Sequence, residues 1–136
     1  MADGVVAPTL VAIMKADFDL DTVDLRYFVT NAAFNAAHDF LNDRSGTIIS
    51  DVVAVTGETV GSVSGGGNLD HNDFTITNVT GTPVAVQSYD HNGGADSARR
   101  LVGWYTTNVP TTPLSGGSLV CTVHASGALS ITSSPS

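Results

Sequence analysis

Two identical tripeptides contain the residue types in this chain that are best suited to chemistry, Asp70-His71-Asn72 and Asp90-His91-Asn92. Each puts a carboxylate, an imidazole and an amide side by side, a set that can bind a metal ion or move a proton. Both also lie between strand-like runs, where Asp, Asn and Gly favour tight turns. Because Gly93-Gly94 follows the second tripeptide directly, turn geometry alone explains its composition. The sequence therefore predicts two turns rather than one shared site.

Other possible metal ligands do not complete a site. A zinc site needs three or four converging ligands, and the four histidines show no paired-ligand spacing (residues 38, 71, 91 and 124). Asp17, Asp19 and Asp21 alternate as in a calcium loop, yet no closing Glu follows them. We therefore expect no metal ligands and no bound cofactor.

Catalytic arrangements are equally incomplete. Asp39 and Asp43 would share a face of a short helix, where their expected role is to solvate and cap it. The serines form no Gly-x-Ser-x-Gly elbow, and no phosphate-binding glycine motif is present. Asp96 and Arg99 flank a turn and are placed to form a local ion pair. We expect no catalytic residues and no enzymatic activity.

The charge balance argues against nucleic-acid binding. The chain of 136 residues has 5 basic and 13 acidic side chains, for a net charge of −8. Such a surface repels phosphate backbones, and Arg99-Arg100 is the only basic pair.

Cysteine use and hydropathy indicate a protein that is made in a cytosol. Cys121 is the single cysteine, and its apolar, alternating surroundings predict a small buried side chain. No segment approaches the roughly 20 apolar residues of a membrane span. The N-terminus lacks the basic region of a signal peptide and carries Asp3 instead. We therefore expect no membrane association.

Alternation of apolar and polar residues, with many Val, Ile and Thr, predicts a mainly β fold. The predicted strands are 23–30, 47–57, a short strand within 58–69, 74–79, 83–89, 101–107, 118–125 and 128–132. The last two are expected to pair across Ser126-Gly127. Short strands separated by turns favour a single antiparallel β-sandwich or barrel.

Two short helices are expected beside these strands. Thr9 can cap a short N-terminal helix that ends near Ala16. Further along, the spacing of Phe34, His38 and Leu41 predicts one more short helical segment.

The sequence also predicts that the chain has three parts. Residues 1–8 form a small, apolar N-terminal arm, 9–132 form a single β-rich domain, and 133–136 form a flexible C-terminal tail. Within the domain, 108–117 is a loop rich in Pro and Gly.

Trp104 and Tyr105 are adjacent in a predicted strand, so their rings should point to opposite faces. One ring is then expected in the core and the other outside, where it could bind a sugar or a protein neighbour.

Several short sequence segments follow one another in an order that is typical of a known protein family. They are DLDT (19–22), AAHDFLND (36–43), TGETV (56–60), DFTITNVTG (73–81), SARRLVGWY (97–105) and LSGGSLVCTV (114–123). This order resembles a family of small virion structural proteins of tailed bacteriophages, of the capsid decoration or minor capsid type. The resemblance covers residues 9–125, and AAHDFLND and SARRLVGWY are its most specific pieces.

The resemblance implies a non-enzymatic capsid decoration (cement) protein, found in the virion after synthesis in the host cytoplasm. Its partner would be the major capsid protein, and analogy favours a homotrimer. In such proteins an extended arm often anchors to the shell, so we expect Val5, Val6 and Pro8 to contact it. Trp104 and Tyr105 are further candidate contacts.

Two alternatives from the sequence remain. The chain could be a tail-associated or fibre-like virion module, which differs from a decoration protein in copy number. It could also be a carbohydrate-binding module that contacts host glycans through Trp104 or Tyr105.

Overall fold

The computed structural model describes residues 4–5, 23–35, 37–63, 66–123 and 129–134. This part of the chain is mainly β, as its composition predicts. Its strands are β1 (Gly4–Val5), β2 (Leu25–Thr30), β3 (Val53–Ala54), β4 (Thr59–Val63), β5 (Gly66–Asp70), β6 (Phe74–Gly81), β7 (Ala85–Asp90), β8 (Leu101–Tyr105), β9 (Leu114–Val123) and β10 (Leu129–Ser134). No helix within these ranges is long and apolar enough to cross a bilayer.

The strands form three antiparallel sheets. The first has the order β1-β8-β7-β2-β3, the second has the order β10-β9-β6, and β4 and β5 form a separate hairpin. Each of these orders is open, so the described strands do not close into a barrel. The pairing of β9 with β10 confirms the predicted C-terminal hairpin.

The two larger sheets bury their facing sides in one core. Buried and exposed side chains alternate along most of β6 and β9, with a register shift between Ile76 and Val79. The shared core contains Leu25, Tyr27, Val29, Val86 and Val102 from the first sheet, and Phe74, Ile76, Val79, Leu114, Leu119, Cys121 and Ile131 from the second.

A second core covers the other side of the five-stranded sheet. It contains Phe28, Tyr89, Leu101 and Trp104 from the sheet, together with Leu41 from the segment 31–48, and Phe34 and Ile48 pack against them. Strands β2, β7 and β8 are therefore buried on both faces, although antiparallel sheets commonly leave one face in water.

The buried polar side chains of this sheet form hydrogen bonds with other groups of the protein. Gln87 Nε2 donates to Thr30 Oγ1 at 3.1 Å, and the Thr30 hydroxyl donates to the Ala32 carbonyl at 3.0 Å. Ser88 Oγ accepts from the Gly103 amide at 3.1 Å. These bonds offset the desolvation of three buried polar residues, which would otherwise weaken the fold.

The predicted strand at 47–57 is wrong for most of its length, because only Val53–Ala54 is a strand. The preceding residues bond instead to both large sheets. The Ile49 amide donates to the Val29 carbonyl at 2.9 Å, and the Asp51 amide donates to the Thr77 carbonyl at 3.0 Å. This segment therefore ties one sheet to the other.

The expected helices are not seen in the described residues. The predicted N-terminal helix, 9–16, lies outside them. The second helical segment is only a 3₁₀ turn, Leu41–Asp43. Its backbone groups bond elsewhere, since the Leu41 amide donates to the Arg99 carbonyl at 2.8 Å and the Leu101 amide donates to the Asp39 carbonyl at 3.0 Å.

Three boundaries also differ from the sequence prediction. β9 begins at Leu114, inside the predicted loop 108–117. Ser133 and Ser134, expected in a flexible tail, pair with β9 as the end of β10. Gly4–Val5, expected in a free arm, pairs with β8 as β1.

Replacing Phe34 with alanine should weaken the second core, because this ring stacks on Trp104 with centroids 4.3 Å apart. We expect a loss of roughly 1–3 kcal/mol, less than for a fully buried ring. Trp104 is the single tryptophan, so its fluorescence reports the change: emission should shift to the red in Phe34→Ala. Phe34→Leu, the control, should shift it less. An unchanged emission maximum in Phe34→Ala would contradict this packing.

Candidate functional site

The first tripeptide, predicted as a turn, begins on β5 and continues into the β5–β6 connection, and its histidine enters the core. β5 ends at Asp70, and His71 is only 7% exposed. Its Nδ1 lies 2.9 Å from the Asn72 carbonyl oxygen, which can only accept, so Nδ1 carries the proton. His71 Nε2 then accepts a hydrogen bond from the Tyr27 hydroxyl at 2.9 Å.

Aromatic rings surround this Tyr–His pair. Phe74 lies against Tyr27 with ring centroids 4.3 Å apart and against His71 at 5.5 Å. The Tyr105 hydroxyl is 3.5 Å from that of Tyr27. Burial, and secondarily Tyr105, holds the pKa of Tyr27 well above its usual range. Tyr27 therefore stays a neutral donor, and the pair links β2 to the β5–β6 connection.

The amide of the same tripeptide fixes a neighbouring turn. The Asn72 backbone donates to the Thr56 carbonyl at 2.9 Å, and its Nδ2 donates to Thr56 Oγ1 at 3.0 Å. Gly57 has a φ of 73° and lies so close to Asn72 that a Cβ would clash. Asp70, His71 and Asn72 therefore all serve the local fold.

The second tripeptide closes the loop between β7 and β8. Asp90 Oδ1 accepts from the Asp24 amide at 3.0 Å. His91 Nδ1 lies 3.2 Å from the Tyr89 hydroxyl. Asn92 Oδ1 accepts from the Gly94 amide at 3.0 Å, which is the side-chain turn expected of Asn in this position. The turn prediction is confirmed for this tripeptide.

The two imidazoles do not meet. His71 contacts Tyr27, which faces the core shared by the two large sheets, whereas His91 contacts Tyr89, which faces the other core. Tyr27 is paired with Ser88, so the side chain of Tyr89 points to the opposite face of the sheet. In the part of the chain that the structure describes, no three His, Cys, Asp or Glu residues are grouped to hold a metal ion.

The arginines near the second tripeptide are paired locally. Arg26 bonds to Asp24 at 3.2 Å. Arg99 bonds to Asp96 at 3.3 Å, which is the local ion pair that the sequence predicts. The Arg100 guanidinium lies 5.0 Å from the centre of the Phe40 ring. These contacts hold the loop in place, and exposed pairs of this kind contribute at most about 1 kcal/mol each.

The predicted aromatic contact residues are largely internal. Trp104 is 7% exposed and stacks on Phe34, so it is the ring of the pair that lies in a core. The other ring is not fully outside as expected, because the sheet has a core on each side. Tyr105 is half-buried, packs against the core between the sheets, and contacts Tyr27.

Of the three predicted contact residues in the arm, only Val5 lies within the described residues. Val5 pairs with Gly103 of β8 in the same chain. Val6 and Pro8 lie outside the described residues. The role of all three as partner contacts stays a prediction.

A surface that the sequence predictions missed lies on the outer side of β6, β9 and β10. Thr75, Val120 and Thr132 are paired across the three strands and form one exposed row. Thr122 extends the row along β9. We call these four residues the uncharged face. Val120 at its centre is 39% exposed.

Two carboxylates bond to the strands that form this surface. Asp51 Oδ2 accepts from Thr77 Oγ1 at 2.6 Å, and Asp73 Oδ1 accepts from the Val123 amide at 2.8 Å. The sequence does hold a signal for this surface, because 101–136 contains no Asp, Glu, Lys or Arg.

The Tyr27–His71 bond can be tested by a double-mutant cycle. Tyr27→Phe leaves the buried Nε2 of His71 without a donor, which should cost about 1–3 kcal/mol of unfolding free energy. In the double variant with His71→Leu both polar partners are gone, so the total loss should be smaller than the sum of the single losses. Urea unfolding should give a coupling of at least about 0.5 kcal/mol. Strict additivity would contradict the bond.

Cys121 should behave as a buried thiol. Burial raises its pKa to about 12, whereas in the unfolded chain the value is about 8.5. The unfolded state therefore loses its proton first, and stability should fall as the pH rises from about 9 toward 12. Cys121→Ala should lose less stability over that interval. In the folded protein at about pH 8 the thiol should resist a disulfide reagent that labels it in denaturant, and rapid labelling without denaturant would contradict this.

Comparisons with protein-family models, with curated proteins and with solved structures find no match. What the chain does must therefore be inferred from its own residues and geometry.

Proposed function

We propose that this chain is a non-enzymatic virion structural protein of a tailed phage, namely a capsid decoration protein. Its partner is the major capsid protein, and it binds the outer surface of the shell. The likeness of AAHDFLND and SARRLVGWY to a family of phage virion proteins supports the class. The uncharged face supports the mode of binding.

The observation that carries the proposal is the contrast between this surface and the rest of the chain. The net charge is −8, yet 101–136 is uncharged and supplies both β9 and β10. Acidic residues elsewhere keep unassembled copies soluble and apart. A hydroxyl-rich surface with an exposed valine costs little to desolvate, because no charge has to leave water.

The fold suits such a role. The two large sheets are interpreted as a β-sandwich, since they share one core between their facing sides. Strands β2, β7 and β8 of the five-stranded sheet are buried on both faces, which makes them a stiff support. A docking surface on a stiff support loses little conformational entropy when it binds.

The N-terminal arm has a smaller part in this proposal than the sequence suggested. β1 already pairs with β8 in the same chain, so Val5 has a partner before any shell is met. Carbohydrate binding is not favoured, because Trp104 is buried.

The test is co-sedimentation with undecorated shells of the phage that encodes the chain, followed by counting of bound copies. Wild-type protein should bind in a fixed ratio to the major capsid protein. Val120→Glu puts a charge on the uncharged face and should weaken binding roughly tenfold or more. Val84→Glu is the matched control, since Val84 is 38% exposed but precedes β7, away from that face.

Equal loss of binding in both variants would reject the uncharged face as the contact. Absence of wild-type binding to shells would reject decoration altogether. Binding to isolated tails instead would support the tail-associated alternative.

A further inference from the structure

The loop between β7 and β8 contains the single Asn-Gly pair of the chain, Asn92-Gly93. Asn is a thermolabile residue, and it reacts most readily before glycine, because the next backbone nitrogen can attack its side-chain carbonyl carbon without a neighbouring side chain in the way. Asn92 and Gly93 are both exposed. Gly93 has a φ of 79°, and a Cβ placed on it would meet nothing within 4 Å. Water can therefore reach the nitrogen that would react.

The attacking amide is not engaged in the fold. Within the described ranges, the Gly93 amide forms no hydrogen bond, whereas the amides of Gly94 and Ala98 in the same loop both donate one. Hydroxide can therefore remove the Gly93 amide proton without first breaking a bond.

The carboxamide of Asn92, by contrast, is held at both ends. Its Oδ1 accepts from the Gly94 amide at 3.0 Å, and its Nδ2 donates to the Ala98 carbonyl at 2.8 Å. In the reaction Cγ has to move to bonding distance of the Gly93 nitrogen, and the side-chain nitrogen has to leave. The bond to Ala98 must therefore break first, which requires a local opening of the loop.

We propose that Asn92 is a site of spontaneous deamidation whose rate is set by opening of this loop. In the open loop, the deprotonated Gly93 nitrogen bonds to Cγ of Asn92, and the bond from Cγ to the side-chain nitrogen breaks. That nitrogen takes up a proton and leaves as ammonia, which gives a cyclic imide. Water then adds to one imide carbonyl and breaks its bond to the ring nitrogen. The product is an aspartate or an isoaspartate.

The product cannot restore the closed loop. A carboxylate has no hydrogen to donate to the Ala98 carbonyl, and it adds a negative charge between Asp90 and Asp96. The same loop holds the segment that covers the second core, because the Leu41 amide donates to the Arg99 carbonyl. Each reaction therefore leaves a permanently loosened loop, and opening is converted into a lasting chemical change.

The first test follows deamidation of the full chain by peptide mass spectrometry, in folded protein and in urea at one mildly alkaline pH. The rate at Asn92 should be roughly tenfold or more lower in the folded protein than in urea. In urea Asn92 should react before Asn108, which is followed by valine. Gly93→Ala, also measured in urea so that folding plays no part, should slow the reaction roughly tenfold or more.

The second test uses Asn92→Asp, which carries the charge of the product. Exchange of the Ala98 amide, which donates to the Ala95 carbonyl at 2.8 Å, should become roughly threefold or more faster. Asn108→Asp is the matched control, because it adds the same charge at another exposed position outside this loop. It should leave exchange of the Ala98 amide unchanged.

Slower reaction of Asn92 in the folded protein, together with faster Ala98 exchange only in Asn92→Asp, supports the proposal. Equal rates in folded protein and urea, no modification of Asn92, or earlier reaction of Asn108 in urea would overturn it. Unchanged Ala98 exchange in Asn92→Asp would also overturn it, because the product would then fit the closed loop. Shells are absent from both tests, so none of these results depends on whether the chain decorates a capsid.

Discussion

The burial of β2, β7 and β8 on both faces is the constraint on which the rest of the structure depends. A sheet that is covered twice has no solvent for its polar side chains, so each of them must bond inside the protein. Gln87 bonds to Thr30, and His71 bonds to Tyr27. One layer over the sheet is the β10-β9-β6 sheet, and the other is the segment 31–48 with Phe34 and Leu41. His71, one of the residues that looked most like chemistry, helps to complete this burial.

Internal use of the aromatic and imidazole side chains determines where a function can lie. Tyr27 and Trp104 are buried in the two cores, and the second tripeptide forms part of the loop between β7 and β8. Within the described residues, the outer side of the three-stranded sheet remains, with exposed hydroxyls and one exposed valine. A surface of this composition fits contact with other proteins. For that reason the proposed shell contact lies on this sheet.

How far the sequence predicts this structure depends on the range of the interactions involved. Alternation located β6 and the second part of β9 well, because their pattern is set by one buried face. It failed at 47–57, where bonds to distant strands replace a strand of its own, and at Leu41, whose amide bonds to Arg99. The role of His71 could not be read locally, since its partner is 44 residues away. The uncharged stretch after Arg100 was visible in the sequence, but only the strand register shows which of its side chains form a face.

The central claim is that a stiff sheet, buried on both faces at β2, β7 and β8, supports an uncharged docking surface on β9 and β10. Amide hydrogen exchange, measured on the free protein and on protein bound to shells, tests this most directly. The account predicts slow exchange in β2 and β7 in both states, and new protection on binding confined to β6, β9 and β10. Fast exchange in free β2, or protection that appears instead in the loop between β7 and β8, would contradict it.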